Sequence, residues 1–208
     1  MTSNAFELPM FPLGTVLFPH GVLPLRVFEP RYRALVHHCL ASDARFGVVL
    51  IERGHEVGGG DTRFSLGTIT QIVRARELPD GQWGLVTVGT ERVRVREWLP
   101  DDPYPRAIVE PRPDPAPTRD ASDAIATARA SLVRVHALRA ELGLPAHRDV
   151  ALRDDDIARA SYEAAILAPI GPLDALALLS IDDPVERLER VAELIGNEIE
   201  LLQFRLSG

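Results

Sequence analysis

Residues 8–19 read LPMFPLGTVLFP and residues 23–32 read LPLRVFEPRY, and these two segments carry the most distinctive pattern in the chain. In both, strand-forming apolar residues are bounded by proline or glycine, which predicts short strands at residues 14–18 and 22–27. Proline has no backbone N–H to donate to a neighbouring strand. We therefore expect both strands to lie at sheet edges.

A short helix is expected directly after these strands. Pro30 suits the first helical turn, and the carboxylate of Glu29 is favourable beside the positive end of the helix. Apolar residues follow at helical spacing as far as Leu40. The helix should therefore be amphipathic, with one face against the strands.

The rest of the first half predicts further strands. Residues 46–51 form a continuous apolar run of strand length. Residues 67–78 and 83–99 flank the turn Pro79-Asp80-Gly81, so they should form a long hairpin, and residues 106–110 add a last strand. Several short strands with one helix and many Gly and Pro breaks suggest a partly closed barrel, which leaves few edges unpaired.

The second half changes to helical spacing. Apolar residues recur every three or four positions, which predicts helices at residues 125–142, 157–167, 173–179 and 184–202. Asp183 can cap the last helix, and Pro184 fits its first position. This half is expected to be a small α-helical bundle.

A proline-rich stretch separates the two halves. Pro111, Pro113, Pro115 and Pro117 stand at every second position, which favours a stiff, extended connection. The charge changes at the same place, because residues 1–117 carry 13 arginines and 14 acids and residues 118–208 carry 10 arginines and 16 acids. We predict two domains with these bounds, 1–117 and 118–208.

Composition excludes several kinds of chemistry. All 23 basic residues are arginine, so no lysine is available for a Walker A loop, a Schiff base or a Ser-Lys pair. A net charge of −7 opposes general nucleic-acid binding. The single cysteine, Cys39, excludes an internal disulfide. Without a recognisable leader or membrane segment, we expect a cytoplasmic chain that does not engage membranes.

Metal, cofactor and catalytic sites are not expected either. Adjacent helical side chains diverge, so His37-His38-Cys39 cannot converge on one ion without other ligands. Gly58-Gly59-Gly60-Asp61 suits a turn, and His55-Glu56 lacks the second histidine of a zincin helix. Asp154-Asp155-Asp156 is explained by the favourable effect of acids at a helix start. No Gly-x-Ser-x-Gly elbow presents a serine nucleophile.

The order of these motifs resembles the N-terminal domain of Lon proteases. The two opening segments, residues 46–51, residues 78–81 and residues 88–95 follow that family's sequence, and Asp183-Pro184-Val185-Glu186-Arg187-Leu188 extends the likeness into the helical half. The resemblance implies an α+β fold, with an N-terminal PUA-like pseudo β-barrel followed by a C-terminal α-helical bundle. It implies a stand-alone bacterial form of the module that recognises unfolded or tagged substrates, without the ATPase and peptidase parts.

The candidate binding residues lie in the second segment, and they are Arg26, Phe28, Glu29, Arg31 and Tyr32. An aromatic ring and a guanidinium at a groove between barrel and helix could anchor an extended peptide. The structural alternative is that the aromatics fix the helix onto the barrel. The expected partner is unfolded or flexible polypeptide, in the setting of a protease system. No catalytic residue or cofactor is expected, and nothing indicates an oligomeric state.

Two other classes of function stay open. A hydrolase or small-ligand-binding enzyme would be favoured by a deep pocket that holds several titratable groups with shifted pKa values. An RNA-binding PUA-like protein is suggested by the barrel and opposed by the charge. The row Arg92, Arg94 and Arg96 could meet acidic partners, although we expect it to be a solvated strand face.

Overall fold

The structure is a computed structural model that describes residues 5–53, 62–117, 119–153 and 155–207. The chain divides into two compact units, Met1–Pro113 and Asp114–Gly208. Residues 114–117, which the proline pattern assigns to the first half, thus belong to the second unit. Strands occupy the first unit and helices dominate the second, so the protein is of the α+β class.

The first unit contains one helix and, within its described residues, a single mixed sheet. In chain order the elements are β1 (Phe6–Leu13), β2 (Val22–Val27), α1 (Pro30–Leu40), β3 (Arg45–Arg53), β4 (Thr62–Glu77), β5 (Trp83–Leu99) and β6 (Arg106–Pro111). The strand order is β2-β5-β4-β3-β1-β6, and β6 also pairs with β5. That last pairing closes five strands into a ring and leaves β2 outside it as an edge strand.

The expectation of a strand at residues 14–18 is wrong, because β1 lies earlier and inside the sheet. It pairs with β6 through Phe6–Pro9 and with β3 through Met10–Leu13. Met10 donates its N–H to the carbonyl oxygen of Pro105 at 2.8 Å, on the β6 side. Successive backbone N–H positions of a strand alternate in direction. The nitrogen of Pro12 therefore faces β6, at a position beyond the residues of β1 that pair with β6. The nitrogen of Pro9 faces β3, at a position before the first residue of β1 that pairs with β3. Neither proline removes a ladder hydrogen bond.

The other predicted elements of this unit are confirmed. Helix α1 has the expected bounds, and its buried residues Tyr32, Leu35, Val36 and Cys39 follow helical spacing. Strands β4 and β5 form the expected hairpin, paired from Glu77 and Trp83 onward. Strand β2 is an edge strand as expected, since it pairs only with β5 among the described strands.

The prediction of a solvated arginine row on β5 is wrong for one of its members. Arg94 and Arg96 are exposed, but Arg92 is 1% exposed. Arg92 pairs with Thr68, whose Oγ1 donates to the carbonyl oxygen of Leu17 at 2.6 Å. Leu17, in the connection that follows β1, therefore lies against the row of the sheet to which Arg92 belongs.

The second unit contains the four predicted helices, at α2 (Ser122–Glu141), α3 (Ile157–Leu167), α4 (Pro172–Ser180) and α5 (Pro184–Ser207). The predicted cap is confirmed, because Oδ1 of Asp183 accepts the N–H of Val185 at 2.8 Å. Asp156 caps α3 by accepting the N–H of Arg159. Helix α5 packs against α2 and α3.

Candidate functional site

A small cavity of about 100 Å³ lies between the end of β2, the start of α1 and β1. Its lining residues are Phe11, Leu13, Leu25, Arg26, Val27, Phe28, Glu29 and Tyr32. Four of the five candidate binding residues are among them, and Arg31 is not. The LPLRVFEPRY segment thus gathers an apolar recess with a polar rim at one place.

Tyr32 forms a rigid wall of this cavity. Its ring stacks on Phe11 with the centroids 4.1 Å apart and the planes 13° apart, and Phe11 in turn contacts Phe46. Tyr32 is 2% exposed. Stacked rings of this kind add packing energy to the burial of their area. The aromatic pair therefore fixes α1 onto the sheet, which agrees with the structural alternative for this residue.

Arg31 contacts two residues that line the cavity, Glu29 and Tyr32. Its Nε donates to Oε2 of Glu29 at 3.1 Å, and its guanidinium carbon lies 4.4 Å from the centre of the Tyr32 ring. The carbonyl oxygen of Glu29 also accepts the N–H of Arg33 in the first turn of α1. Arg31 thus holds the Glu29 carboxylate in place and does not itself enter the cavity.

Phe28 and Arg26 are the accessible members of the set. Phe28 is 51% exposed, which is unusual for a large apolar side chain beside a recess. Arg26 reaches across the hairpin, where its Nε donates to Oε1 of Gln82 at 2.8 Å and a terminal nitrogen lies 3.7 Å from Asp80. A partner arriving at the cavity would meet these two side chains first.

The free edge of β2 runs beside the cavity. Gly89 donates its N–H to the carbonyl oxygen of Gly21 at 2.9 Å, which sets the direction of the backbone groups that follow. In an antiparallel pair alternate residues bond to the partner strand, so the even-numbered residues of β2 turn their backbone groups to the free edge. These residues are Val22, Pro24 and Arg26. Pro24 offers a carbonyl but no N–H, so this edge carries a broken row of donors.

The side chains of His37, His38 and Cys39 diverge to different neighbours. The His37 ring meets Trp83 edge to face, while the His38 ring meets Tyr104. The thiol of Cys39 donates to the carbonyl oxygen of Arg45 at 3.1 Å, and burial raises its pKa to about 12. Within the described ranges, no group of three His, Cys, Asp or Glu side chains is placed to hold a metal ion.

Three other sequence motifs lie wholly or partly outside the described residues. The residues Gly58-Gly59-Gly60-Asp61 and His55-Glu56 lie outside the described part of the chain. So does Asp154, the first of the three aspartates before α3. The predicted turn at Gly58-Gly59-Gly60-Asp61 and the predicted helix-start role of Asp154 stay predictions.

The second unit has two larger cavities, of about 490 and 270 Å³, which share His136 and His147. Sequence reasoning did not single out this pair. The His136 Nε2 lies 3.0 Å from the carbonyl oxygen of Leu167, and its Nδ1 accepts the N–H of His147 at 3.4 Å. Burial is the main cause that lowers the pKa of His136. Both ring nitrogens hold the main chain, so the residue is accounted for as a neutral structural histidine.

The described helices include none with the length and apolar character needed to cross a membrane.

The closed mixed sheet and the four-helix second unit define an α+β protein with a recess at its sheet edge. A sequence model for the ATP-dependent protease La (LON) substrate-binding domain matches residues 7–197. Because this match covers most of the chain, the chain belongs to that family. The resemblance to Lon N-terminal domains is thereby confirmed.

Individual relatives agree with this assignment. The chain is 29% identical to Lon protease 2 of Herpetosiphon aurantiacus over 97% of its own length, and 27% identical to the Lon protease of Trichlorobacter lovleyi over 95%. In each comparison it covers 25% of the relative. The chain therefore spans about a quarter of the length of these curated relatives.

Solved structures support the same fold. The crystal structure of a Lon N-terminal domain protein from Xanthomonas campestris is similar with a TM-score of 0.62 and 30% identity, and the match covers 89% of this chain and 96% of that one. The N-terminal domain of the Mycobacterium avium complex Lon protease gives a TM-score of 0.61 at 16% identity, over 92% and 99% of the two chains. The second likeness concerns the fold alone.

Proposed function

We propose that this chain is a non-catalytic module that binds unfolded or flexible polypeptide, with a protease system as its setting and without nucleic acid. Membership of a substrate-binding domain family supports the proposal. The observation that carries it is the position of the half-exposed Phe28 and an apolar recess directly beside the free edge of β2. On this proposal the first unit is a PUA-like pseudo-barrel and the second a helical bundle.

Strand addition is the binding mode that suits this geometry. A segment laid along β2 bonds through backbone groups, which every sequence possesses, so many polypeptides are accepted. The cavity then takes about one apolar side chain. Pro24 removes one donor from this edge, so an added segment bonds through the backbone groups that remain at Val22 and Arg26 and through the carbonyl of Pro24.

The roles of the candidate residues support a function without covalent chemistry. Tyr32 is packed in the core, and Arg31 is engaged by Glu29 and the Tyr32 ring. The absence of lysine removes the Ser-Lys mechanism from this sequence. In the second unit, His136, one of the two histidines that line the larger cavities, uses both ring nitrogens to hold the main chain.

The test is binding of a fluorescein-labelled, reduced and carbamidomethylated polypeptide, followed by anisotropy. The Phe28→Ala variant should bind at least about fivefold more weakly, a loss of about 1 kcal/mol, and should unfold at the same temperature as the parent. Leu173→Ala is the matched control, because Leu173 is 68% exposed and lies in the other unit. A parent that binds no unfolded polypeptide, or a Phe28→Ala variant that binds as tightly, would reject the proposal.

A further inference from the structure

The face of the sheet turned away from α1 has a regular arrangement of residues across β4, β5 and β2. Strand β5 lies between the other two strands, and paired residues share a face of an antiparallel sheet. Leu85 of β5 belongs to the core that contains α1, so its neighbours Gly84 and Val86 lie on the opposite face. That face has three rows, which are Arg76-Gly84-Arg26, Arg74-Val86-Pro24 and Gln71-Val88-Val22.

The middle of this face is low and apolar. Gly84 has no side chain, and a Cβ built there would meet only the carbonyl oxygen of Arg76, 3.9 Å away. Val22, at the other end on the β2 side, is 65% exposed. Apolar residues that are grouped at a surface, unlike single ones, mark interaction sites. We call this surface the valine trough, and its residues are Val22, Pro24, Gly84, Val86 and Val88.

The β4 side of the valine trough is positively charged. Arg74 and Arg76 are both exposed, and neither makes an ion pair with any described residue. Arg26, on the β2 side, is instead engaged at the hairpin turn by Gln82 and Asp80. Guanidinium groups form charge-assisted hydrogen bonds to carboxylates. Arg74 and Arg76 are thus available to an acidic partner without the loss of a contact to the described part of the chain.

The dimensions of the valine trough fit an α-helix laid along β5. Strands β2 and β4 lie about 10 Å apart on either side of β5, which is close to the diameter of a helix. The three rows extend about 14 Å, the length of about nine helical residues. The Cα atoms of Arg74 and Arg76 are about 7 Å apart along β4, and helical residues four positions apart are separated by about 6 Å along the axis. Two such residues lie on the same side of a helix.

We propose that the valine trough docks an amphipathic α-helix of a partner protein. The apolar stripe of this helix packs on Val22, Val86 and Val88, and two carboxylates four positions apart bond to Arg74 and Arg76. The residues of the trough include no aromatic side chain on which bases could stack, which favours a helix over single-stranded nucleic acid.

This surface is separate from the site of the proposed function. Leu25 and Val27 line the apolar cavity, and both pack with the core that contains α1, so the cavity opens on the other face of the sheet. A segment paired to the free edge of β2 does not reach Arg74 and Arg76, because β5 lies between β2 and β4. Docking of a helix in the trough is therefore independent of polypeptide binding at the cavity.

The experiment measures the binding of three fluorescein-labelled peptides to the full chain by anisotropy, at about 50 mM salt, where surface charges are weakly screened. Each peptide is alanine-rich and about 18 residues long, enough to form a helix in water, with a leucine stripe on one face. The first has two glutamates four positions apart beside the stripe, the second has glutamines in their place, and the third has its two glutamates opposite the stripe. The first should bind about tenfold more tightly than either of the others.

Three variants locate the binding surface. In Arg74→Gln, Arg76→Gln the preference for the first peptide over the second should fall to about twofold or less. Arg94→Gln, Arg205→Gln removes the same charge from exposed positions elsewhere and should keep the full preference. Val22→Ser reduces the apolar surface of the trough, so it should weaken the first and second peptides alike by about threefold.

The possible results separate this inference from the proposed function. Phe28→Ala should bind the first peptide as tightly as the parent does, and a weaker complex would show that the peptide occupies the cavity and would refute docking in the trough. Equal binding of the first and second peptides, or of the first and third, would refute the pairing of carboxylates with Arg74 and Arg76. A parent that binds the first peptide but no unfolded polypeptide would leave this inference standing while the proposed function falls.

Two other occupants of the valine trough are also tested. If a uridine oligonucleotide displaces the first peptide and binds more tightly through Arg74 and Arg76, the surface binds nucleic acid and the partner class is wrong. If sedimentation shows parent dimers that Arg74→Gln, Arg76→Gln dissociates, the surface joins two copies of this chain and the partner helix is likewise refuted. A monomeric parent from which the oligonucleotide displaces no peptide supports the proposal.

Discussion

Arg187 donates a hydrogen bond from Nη2 to Oδ1 of Asp114 over 2.6 Å, although 73 positions separate the two residues. Arg187 is fully buried, and it also donates to Ser161 Oγ and to the carbonyl oxygen of Ile181. Its guanidinium lies 4.0 Å from the centre of the Tyr162 ring, and the Tyr162 hydroxyl donates to the same Asp114 carboxylate. The first residue of the second unit is thereby fixed to α3 and α5.

This contact predicts a large loss of stability when Arg187 is replaced. Arg187→Met should lower the free energy of unfolding by about 3 kcal/mol, since removing one partner leaves the Asp114 carboxylate without its cation in a largely buried site. Urea unfolding followed by circular dichroism measures this change in the free energy of unfolding. Arg119→Met removes an arginine that pairs with Glu189 on the surface and should change little. Equal losses in the two variants would contradict this assignment.

The His136 contacts predict a pH dependence of stability. Burial lowers the pKa of His136 in the folded protein, so the unfolded chain binds its proton more readily. Stability from this residue is therefore complete above a pH of about 6.5, the ordinary histidine value, and is lost as the pH falls below it. Thermal unfolding between pH 8 and pH 5 should show the decline, and His136→Gln should reduce its slope. Parallel pH profiles for the parent and His136→Gln would contradict this role of His136. His38→Gln, at an exposed histidine, is the control.

Two glycines of the sheet should not tolerate alanine. A Cβ at Gly67 would lie 2.2 Å from the carbonyl oxygen of Val48, and one at Gly89 would lie 2.3 Å from that of Phe18. Because backbone atoms would have to move, either substitution should cost about 2 kcal/mol of stability. Gly196→Ala, in open space on α5, should instead stabilise by about 0.5 kcal/mol. Denaturant midpoints of the three variants provide the check.

Within the LPLRVFEPRY segment, one aromatic residue should determine stability and another should determine binding. Tyr32→Ala removes a buried ring stacked on Phe11 and should destabilise the chain by about 3 kcal/mol. Phe28→Ala removes a half-exposed ring and should leave the unfolding midpoint nearly unchanged while it weakens peptide binding. Measuring both properties on both variants tests the division, and a Phe28→Ala variant as unstable as Tyr32→Ala would refute it.

Most helices and strands could be predicted from the spacing of residue types along the chain. Helix α1 begins at Pro30 because proline fixes its own φ at a helical value. The hairpin turns at Pro79-Asp80-Gly81 because Gly81 adopts a φ of 72°, which other residues rarely adopt. The starts of α3 and α5 follow from aspartates that bond to N–H groups two or three residues away. In each case the deciding contact lies within a few residues, where the sequence pattern is sufficient.

The placement of β1 and Arg92 could not be predicted in this way. The prolines of β1 are tolerated only because each faces a side where pairing has ended or not begun, which depends on β3 and β6. Arg92 is buried, in a row of the sheet where its partner Thr68 bonds to Leu17 of the connection after β1. Alternation along a strand indicates two faces but does not say whether another segment covers one of them.

From the order of residues alone one obtains the α+β class, the edge position of β2 and the motif that lines the recess, since each depends on neighbours in the chain. Folding in three dimensions decides that Tyr32 is a wall and Phe28 a rim, and that Arg26 and Arg76 flank Gly84. The physical reason is that burial and strand register are set by contacts between distant segments, whose energies are absent from any local pattern.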